Sequence, residues 1–133
     1  MTKLGNILKK TMKLMSLLAL IFSLYQLPAI AGNFSKTCHN IRLEDKIILK
    51  ARCRRISGTY VDAAVSLNNC IDNRDGVLVF GGHKFSLTCR HISLLDDDYT
   101  LLAQCRRRNG RRHWSTLELD EGTTNNDGLL QCN

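Results

Sequence analysis

No C-x-x-C pair and no His-x-x-x-His occur in the sequence, so the ligand spacings that mark most structural zinc sites are missing. There is no G-x-S-x-G elbow, and no cysteine or histidine stands in a nucleophile motif, which removes the common signatures of hydrolytic catalysis. Beyond residue 31 no stretch carries a long helical period and no methionine remains. Tryptophan occurs once, at Trp114. The stretch LLAQCRRRNGRRHWS, Leu101 to Ser115, gathers five arginines around an Asn-Gly turn signal, but one tryptophan does not supply the basic and aromatic interleaving of a nucleic-acid surface.

The first 31 residues are read separately. Lys3, Lys9, Lys10 and Lys13 precede the apolar run LMSLLALIFSLYQL, which ends at Pro28 and is followed by Ala29-Ile30-Ala31. A positive n-region, a short apolar h-region and an A-x-A site predict a secretory signal peptide, residues 1–31, cleaved between Ala31 and Gly32. The run falls short of the roughly 20 apolar residues that span a bilayer, so no membrane insertion is expected after cleavage. Cleavage leaves 133 − 31 = 102 residues, enough for one domain, 32–133. The net charge falls from +7 to 15 − 12 = +3. Much of the basicity is targeting signal, and the mature protein is expected outside the cell.

Six cysteines remain: Cys38, Cys53, Cys70, Cys89, Cys105 and Cys132. In an oxidising compartment an even count predicts disulfides, with fifteen possible pairings. An internal repeat narrows them. The mature chain lies on itself at an offset of 51, growing to 52 after one inserted residue, as tandem repeats 34–81 and 85–133. FSKTC (Phe34 to Cys38) lies over FSLTC (Phe85 to Cys89), and Leu49, Ala51, Cys53, Arg54, Arg55 and Gly58 lie over Leu101, Ala103, Cys105, Arg106, Arg107 and Gly110. Leu67, Asn73, Asp75, Gly76 and Leu78 match Leu119, Asn125, Asp127, Gly128 and Leu130. Symmetry then pairs Cys38 with Cys53 and Cys89 with Cys105. Cys70 and Cys132 align with Gly122 and Phe80; they form either a third bridge, the reading we prefer, or a link between two chains.

Strand signals dominate. IRLEDKIILKARC alternates apolar and polar residues around a charged turn, and LLAQC and VLVF are short β-prone runs. Turns are marked at Ile56-Ser57-Gly58, Asn109-Gly110, Asp75-Gly76 and Asp127-Gly128, and VSLNNCIDN is read as a short helical turn between strands. The domain is therefore expected to be all-β.

The segments FSKTCHNIRL, ARCRR and SLNNCIDNRDGVLVF, then FSLTCRHISL, AQCRRRNG and NNDGLL, resemble the cyanovirin-N family in both repeats and in order, over the whole mature chain. The resemblance implies a pseudo-symmetric fold of two halves, each a three-stranded sheet plus a β-hairpin, with strands from both repeats in each half. It implies the same pairing of Cys38 with Cys53 and Cys89 with Cys105. It also implies a monomer, or a dimer that exchanges halves through a linker at Asn68 to Asp72. The function it implies is binding of mannose-type glycans, without metal or other cofactor. Carried over by position, one pocket would use Asn33, Lys36, Thr37, Arg54, Arg55, Ile56, Asn125, Asn126 and Asp127. The other would use Asp72, Asn73, Asp75, Gly81, His83, Lys84, Thr88, Arg106, Arg107 and Arg108. Lys36, Arg54, Lys84, Leu87 and Gly81 depart from the family's pattern, and the charge of Lys36, Arg54 and Lys84 makes anionic glycans credible ligands. Asn33-Phe34-Ser35 is also an N-glycosylation acceptor beside the first pocket.

Three other classes fit parts of the sequence. His39, His83, His91 and His113 would suit an extracellular ribonuclease, yet no two share a motif, and no enzyme is expected. A cationic module for polyanions would use Arg52, Arg54, Arg55 and the arginines from Arg106 to Arg112. A scaffold that has lost sugar binding and serves secreted interaction or defence is the third class.

Overall fold

This computed structural model describes residues 32–133; the expected signal segment, 1–31, lies outside them. Ten strands form, with four single 3-10 turns between them and no α-helix among the described residues. In the first repeat they are β1 (Cys38–Glu44), β2 (Ile48–Arg54), β3 (Tyr60–Ser66), β4 (Ile71–Arg74) and β5 (Val77–Phe80). The second repeat gives β6 (Cys89–Leu94), β7 (Thr100–Arg106), β8 (Arg112–Glu118), β9 (Thr123–Asn126) and β10 (Leu129–Cys132). The 3-10 turns are Phe34–Lys36 and Phe85–Leu87, which are the two F-S-x segments, together with Leu67–Asn69 and Leu119–Glu121. VSLNNCIDN does turn helically, but only over Leu67–Asn69; strand precedes it through Ser66 and resumes at Ile71, after Cys70 closes the turn.

Strands β1-β2-β3 make one antiparallel sheet and β6-β7-β8 another; β4-β5 and β9-β10 are separate hairpins. Period-2 alternation sets their facing. In β2, Leu49, Ala51 and Cys53 are buried while their neighbours face outward, and in β7 Leu101, Ala103 and Cys105 repeat the pattern. Each sheet then receives the hairpin of the other repeat: β4-β5 packs on β8, and β9-β10 packs on β3. The Leu78 N–H donates to the buried Ser115 Oγ at 3.0 Å, tying one such hairpin to its host sheet. Each half thus contains strands from both repeats, as the resemblance implies. Phe34 and Phe85, fully buried, anchor a single core with Leu49, Leu67, Ile71, Leu101 and Leu119.

Cys38 and Cys53 are direct cross-strand partners, as are Cys89 and Cys105, and both pairs are bonded. The third bridge joins Cys70 to Cys132 within the chain, with Cα atoms 5.6 Å apart. It locks the Asn68–Asp72 segment, which runs from a 3-10 turn into β4, onto the last strand. The symmetry-related place holds no sulfur. There the Phe80 ring lies over Gly122, where an added Cβ would fall 2.6 Å from the ring. Backbone bonds at both places match: Gly81 N–H to Cys70 O at 3.0 Å, and Asn133 N–H to Gly122 O at 2.9 Å. One repeat boundary is closed covalently and the other by a ring on a glycine.

Two stability predictions follow from these asymmetries. The Cys70–Cys132 bond closes a loop of 62 residues, for which loop-closure entropy sets a ceiling of about 4 kcal/mol. Replacing both cysteines by alanine should lower the unfolding free energy by up to that amount in denaturant titrations, with the other two bridges intact by peptide mapping. Thr123, at the position of Ile71 in the first repeat, is fully buried and its hydroxyl reaches no partner. Thr123→Val keeps the shape and removes the stranded hydroxyl, so it should stabilise by about 1 kcal/mol. A calorimetric Tm that falls instead of rising by a few degrees would contradict this.

Candidate functional site

The Asn-x-Asp-Gly turns, which read as hairpin turns in sequence, reach across to the other repeat. Asn73 Nδ2 donates to Thr88 Oγ1 and to Arg106 O, both at 2.9 Å, while its Oδ1 accepts from Gly76 N–H at 2.7 Å. Asn125 does the same with Thr37 Oγ1 and Arg54 O at 2.9 Å, and with Gly128 N–H at 2.8 Å. Both amide protons of each asparagine are therefore used inside the protein. Each aspartate completes the clasp: Asp75 accepts from Arg108 N–H and Asp127 from Ile56 N–H, both at 2.9 Å. Asp75 and Asp127 are left-handed, with φ of 51° and 50°, a conformation aspartate tolerates better than most residues. The following glycines carry a second constraint, because an added Cβ at Gly76 would meet Arg107 Cγ at 2.7 Å and one at Gly128 would meet Arg55 Cγ at 2.9 Å.

Around the Asn73 clasp lies a cleft of about 440 Å³ lined by Asp72, Asn73, Arg74, Asp75, Thr88, Arg106, Arg107 and Arg108. Carboxylates and a hydroxyl offer acceptors, while four guanidiniums offer donors in fixed forks. Such a wall suits a ligand carrying adjacent groups that both give and take hydrogen bonds. Among the described residues no three His, Cys, Asp or Glu side chains gather in a way that could hold a metal ion. The histidines are dispersed: His39 lies edge-on to Tyr60 with centroids 4.8 Å apart, His91 lies beside Trp114, His113 is paired with Cys105 across β7 and β8, and His83 is exposed.

Residues 34–131 match the CVNH domain family. The chain belongs to this family. It is similar to the cyanovirin-N homolog of Neurospora crassa, 32% identical over 108 residues that cover 75% of this chain and 97% of that protein. Among solved structures it resembles the Gibberella zeae CVNH protein, with a TM-score of 0.70 at 33% identity, over 76% of this chain and 97% of that one. It also resembles microvirin, solved as a mannobiose complex, with a TM-score of 0.64 at 31% identity, over 77% and 99% of the two chains.

Measured on this CVNH chain, the residues expected for the second pocket divide. Asp72, Asn73, Asp75, Thr88, Arg106, Arg107 and Arg108 share the cleft. Gly81, His83 and Lys84 are not in its lining; Gly81 N–H is spent on Cys70 O, and Lys84 N–H on Asn68 O at 2.7 Å. In the first set Thr37, Arg54, Ile56, Asn125 and Asp127 are drawn together by the clasp, and Arg55 Nη2 sits 3.6 Å from Asp127 Oδ2. Asn126 instead donates to Gln131 across its own hairpin at 3.3 Å, Asn33 gives its N–H to Asp120 O at 2.7 Å, and Lys36 is exposed at the end of its 3-10 turn.

Sequence reasoning missed Arg74, which lines the cleft where the other repeat has Asn126. It also missed a second pair of clasps. Asn68 Nδ2 donates to Ser86 Oγ at 2.7 Å and its Oδ1 accepts from Ser86 N–H at 3.1 Å. Asp120 holds Ser35 the same way through its N–H, at 2.9 Å, and its hydroxyl. The signal was present: the serine of each F-S-x-T-C, and Asn68 over Asp120 at the repeat offset.

The clasp carboxylate Asp127 has a displaced titration. The Ile56 N–H, then the Arg55 guanidinium, hold its carboxyl below the ordinary aspartate range. A depressed folded value means its contribution is complete above the unfolded aspartate pKa, about 3.9, and is lost as pH falls through the lower folded value. Carbon-detected NMR should find the Asp127 midpoint below that of a free aspartate. In Arg55→Gln the midpoint should rise only partway, since the Ile56 N–H is the larger cause; full reversion would contradict that ordering.

Proposed function

We propose that this CVNH protein is a secreted, metal-independent lectin that binds short mannose-type glycans in the cleft around the Asn73 clasp. The observation that supports the reading best is the juxtaposition of Asp72, Asp75 and Thr88 with Arg74, Arg106, Arg107 and Arg108 in one cleft of about 440 Å³, within the range of small-ligand sites. Vicinal hydroxyls of a pyranose each donate and accept, so they need acceptors and donors on one wall, which this cleft supplies. Microvirin, 31% identical, was solved with mannobiose, which makes that disaccharide the natural first ligand. Secretion rests on the N-terminal leader read in the sequence.

The clasp residues hold the cleft, and the residues beside them carry the contacts. Asn73 has no amide proton left for a sugar, whereas Asp72 and Arg74 have no clasp duty. Titrating the mature protein with α1,2-mannobiose should shift amide signals of Asp72, Arg74 and Arg107, and the affinity should hardly change with salt, because the ligand is neutral. Asp72→Ala and Arg74→Ala should each weaken binding about tenfold, the loss of one charge-assisted hydrogen bond. No shift in this cleft at millimolar mannobiose, or full affinity in both variants, would refute the assignment.

A further inference from the structure

The outer face of the β6-β7-β8 sheet is a surface that the cleft does not explain. Strand register places Arg90, Gln104 and Trp114 in one row across the three strands, and Arg106 directly opposite Arg112 in the next. Trp114 is 52% exposed, and the three arginines are exposed. Arg90 Nε donates to Gln104 Oε1 at 2.8 Å, which fixes its guanidinium beside the row's aromatic end. The His91 ring lies 6.0 Å from the Trp114 ring at a 30° tilt and flanks it. The acidic residues of this sheet, Asp96 to Asp98 and Glu118, lie toward its other end. Glu118 is four residues along β8 from Trp114, about 13 Å at strand rise.

The equivalent face of the first repeat keeps one arginine, Arg54, but lacks the tryptophan and the opposed arginine pair. His39, Arg52 and Asp62 stand where Arg90, Gln104 and Trp114 do, and Arg52 is neutralised by Asp62 at 3.0 Å. Tyr60 occupies the place of Arg112, so Arg54 faces a phenol rather than a second cation. Over these five positions the first face carries a net charge of 2 − 1 = +1 and the second +3. Like charges directly opposed across strands destabilise a sheet, and partial desolvation with repulsion from Arg90 and Arg106 pulls the Arg112 guanidinium below its usual range. The uncompensated cations flank the only tryptophan in the chain.

We infer that this outer face is a second saccharide-binding site, adjoining the mannose cleft through Arg106, which belongs to both, and that it takes sulfated polysaccharide. The C–H face of a pyranose packs on the Trp114 ring, and sulfate esters on that sugar and its neighbours accept from Arg90, Arg106 and Arg112. Three guanidiniums around one ring call for more than one anionic group per sugar, which sulfated chains carry and a simple polyuronate does not. A flat sheet with one aromatic offers no successive stacking platforms, which single-stranded nucleic acid uses.

Because Trp114 is the only tryptophan, intrinsic fluorescence of the mature protein reads this face directly. A heparin-derived hexasaccharide should change the emission, with affinity that weakens as salt rises. Arg90→Gln with Arg112→Gln, two exposed substitutions outside the cleft, should lower that affinity about a hundredfold, about tenfold per lost charge-assisted contact. The mannobiose titration should be unchanged in the same variant, so failure of the cleft assignment and failure of this one are separable. No emission change with the hexasaccharide, or undiminished binding by the double variant, overturns the proposal. Equal affinity for oligogalacturonate would overturn the sulfate preference, and equal affinity for a single-stranded oligonucleotide would identify a phosphate-binding face instead.

Discussion

Everything in this domain depends on two asparagine side chains that belong to one repeat and bond to the other. Asn73 and Asn125 each satisfy their own tight turn with the carbonyl and spend both amide protons on the opposite repeat's F-S-x-T-C threonine and strand end. A typical hydrogen bond adds only about 1 kcal/mol net, but a buried partner left unmade costs about 1–3 kcal/mol. The clasp is therefore stronger as a constraint on geometry than as a source of energy. It demands that the β4-β5 hairpin sit on β8 and the β9-β10 hairpin on β3, so a lone repeat would leave its asparagine, its threonine and its hydrophobic hairpin face without partners.

That constraint explains what the sequence could and could not reveal. The repeat offset alone pairs Cys38 with Cys53 and Cys89 with Cys105, because bridges between adjacent strands of one unit are local and symmetric. The Cys70–Cys132 bond breaks the symmetry and joins residues 62 apart, so self-comparison leaves it open. Alternation in β2 and β7 made the strands legible, while the exchange of hairpins between repeats followed only from family resemblance. No local pattern says which sheet a hairpin will join. For the same reason Asn73 and Asp75 could be read as turn residues, but their long-range partners, Arg106 and Arg108, carry no mark of the contact in their own spacing.

The two repeats have kept identical what the clasp uses and have diverged where it makes no demand. Phe34 and Phe85, Thr37 and Thr88, Asn125 and Asn73, Asp127 and Asp75, and the glycines beneath Arg55 and Arg107 are the same residue in both copies. Each is bound by core burial, by a bond whose donor and acceptor are both spoken for, or by a left-handed backbone. By contrast Arg74 stands against Asn126 and Trp114 against Asp62, at positions whose side chains face a cleft or solvent, and the cleft residue Asp72 stands against Thr124, whose hydroxyl takes the Gly32 N–H.

The division bears on how recognition should be sought in such a fold. Residues most recognisable from sequence are those whose hydrogen bonds are already used up, so they can shape a binding wall without choosing its ligand. Choice falls to their unclasped neighbours, and here the neighbours of the two clasps differ in charge. At the first, Arg55 is held 3.6 Å from Asp127, which lowers the field presented to a ligand. At the second, Asp75 is engaged by the Arg108 backbone, and Arg74, Arg106 and Arg107 are left to face outward around the cleft. The two clasps of one symmetric scaffold thus present different electrostatics, because the symmetry operates on the backbone and the clasp and not on the unclasped side chains around them.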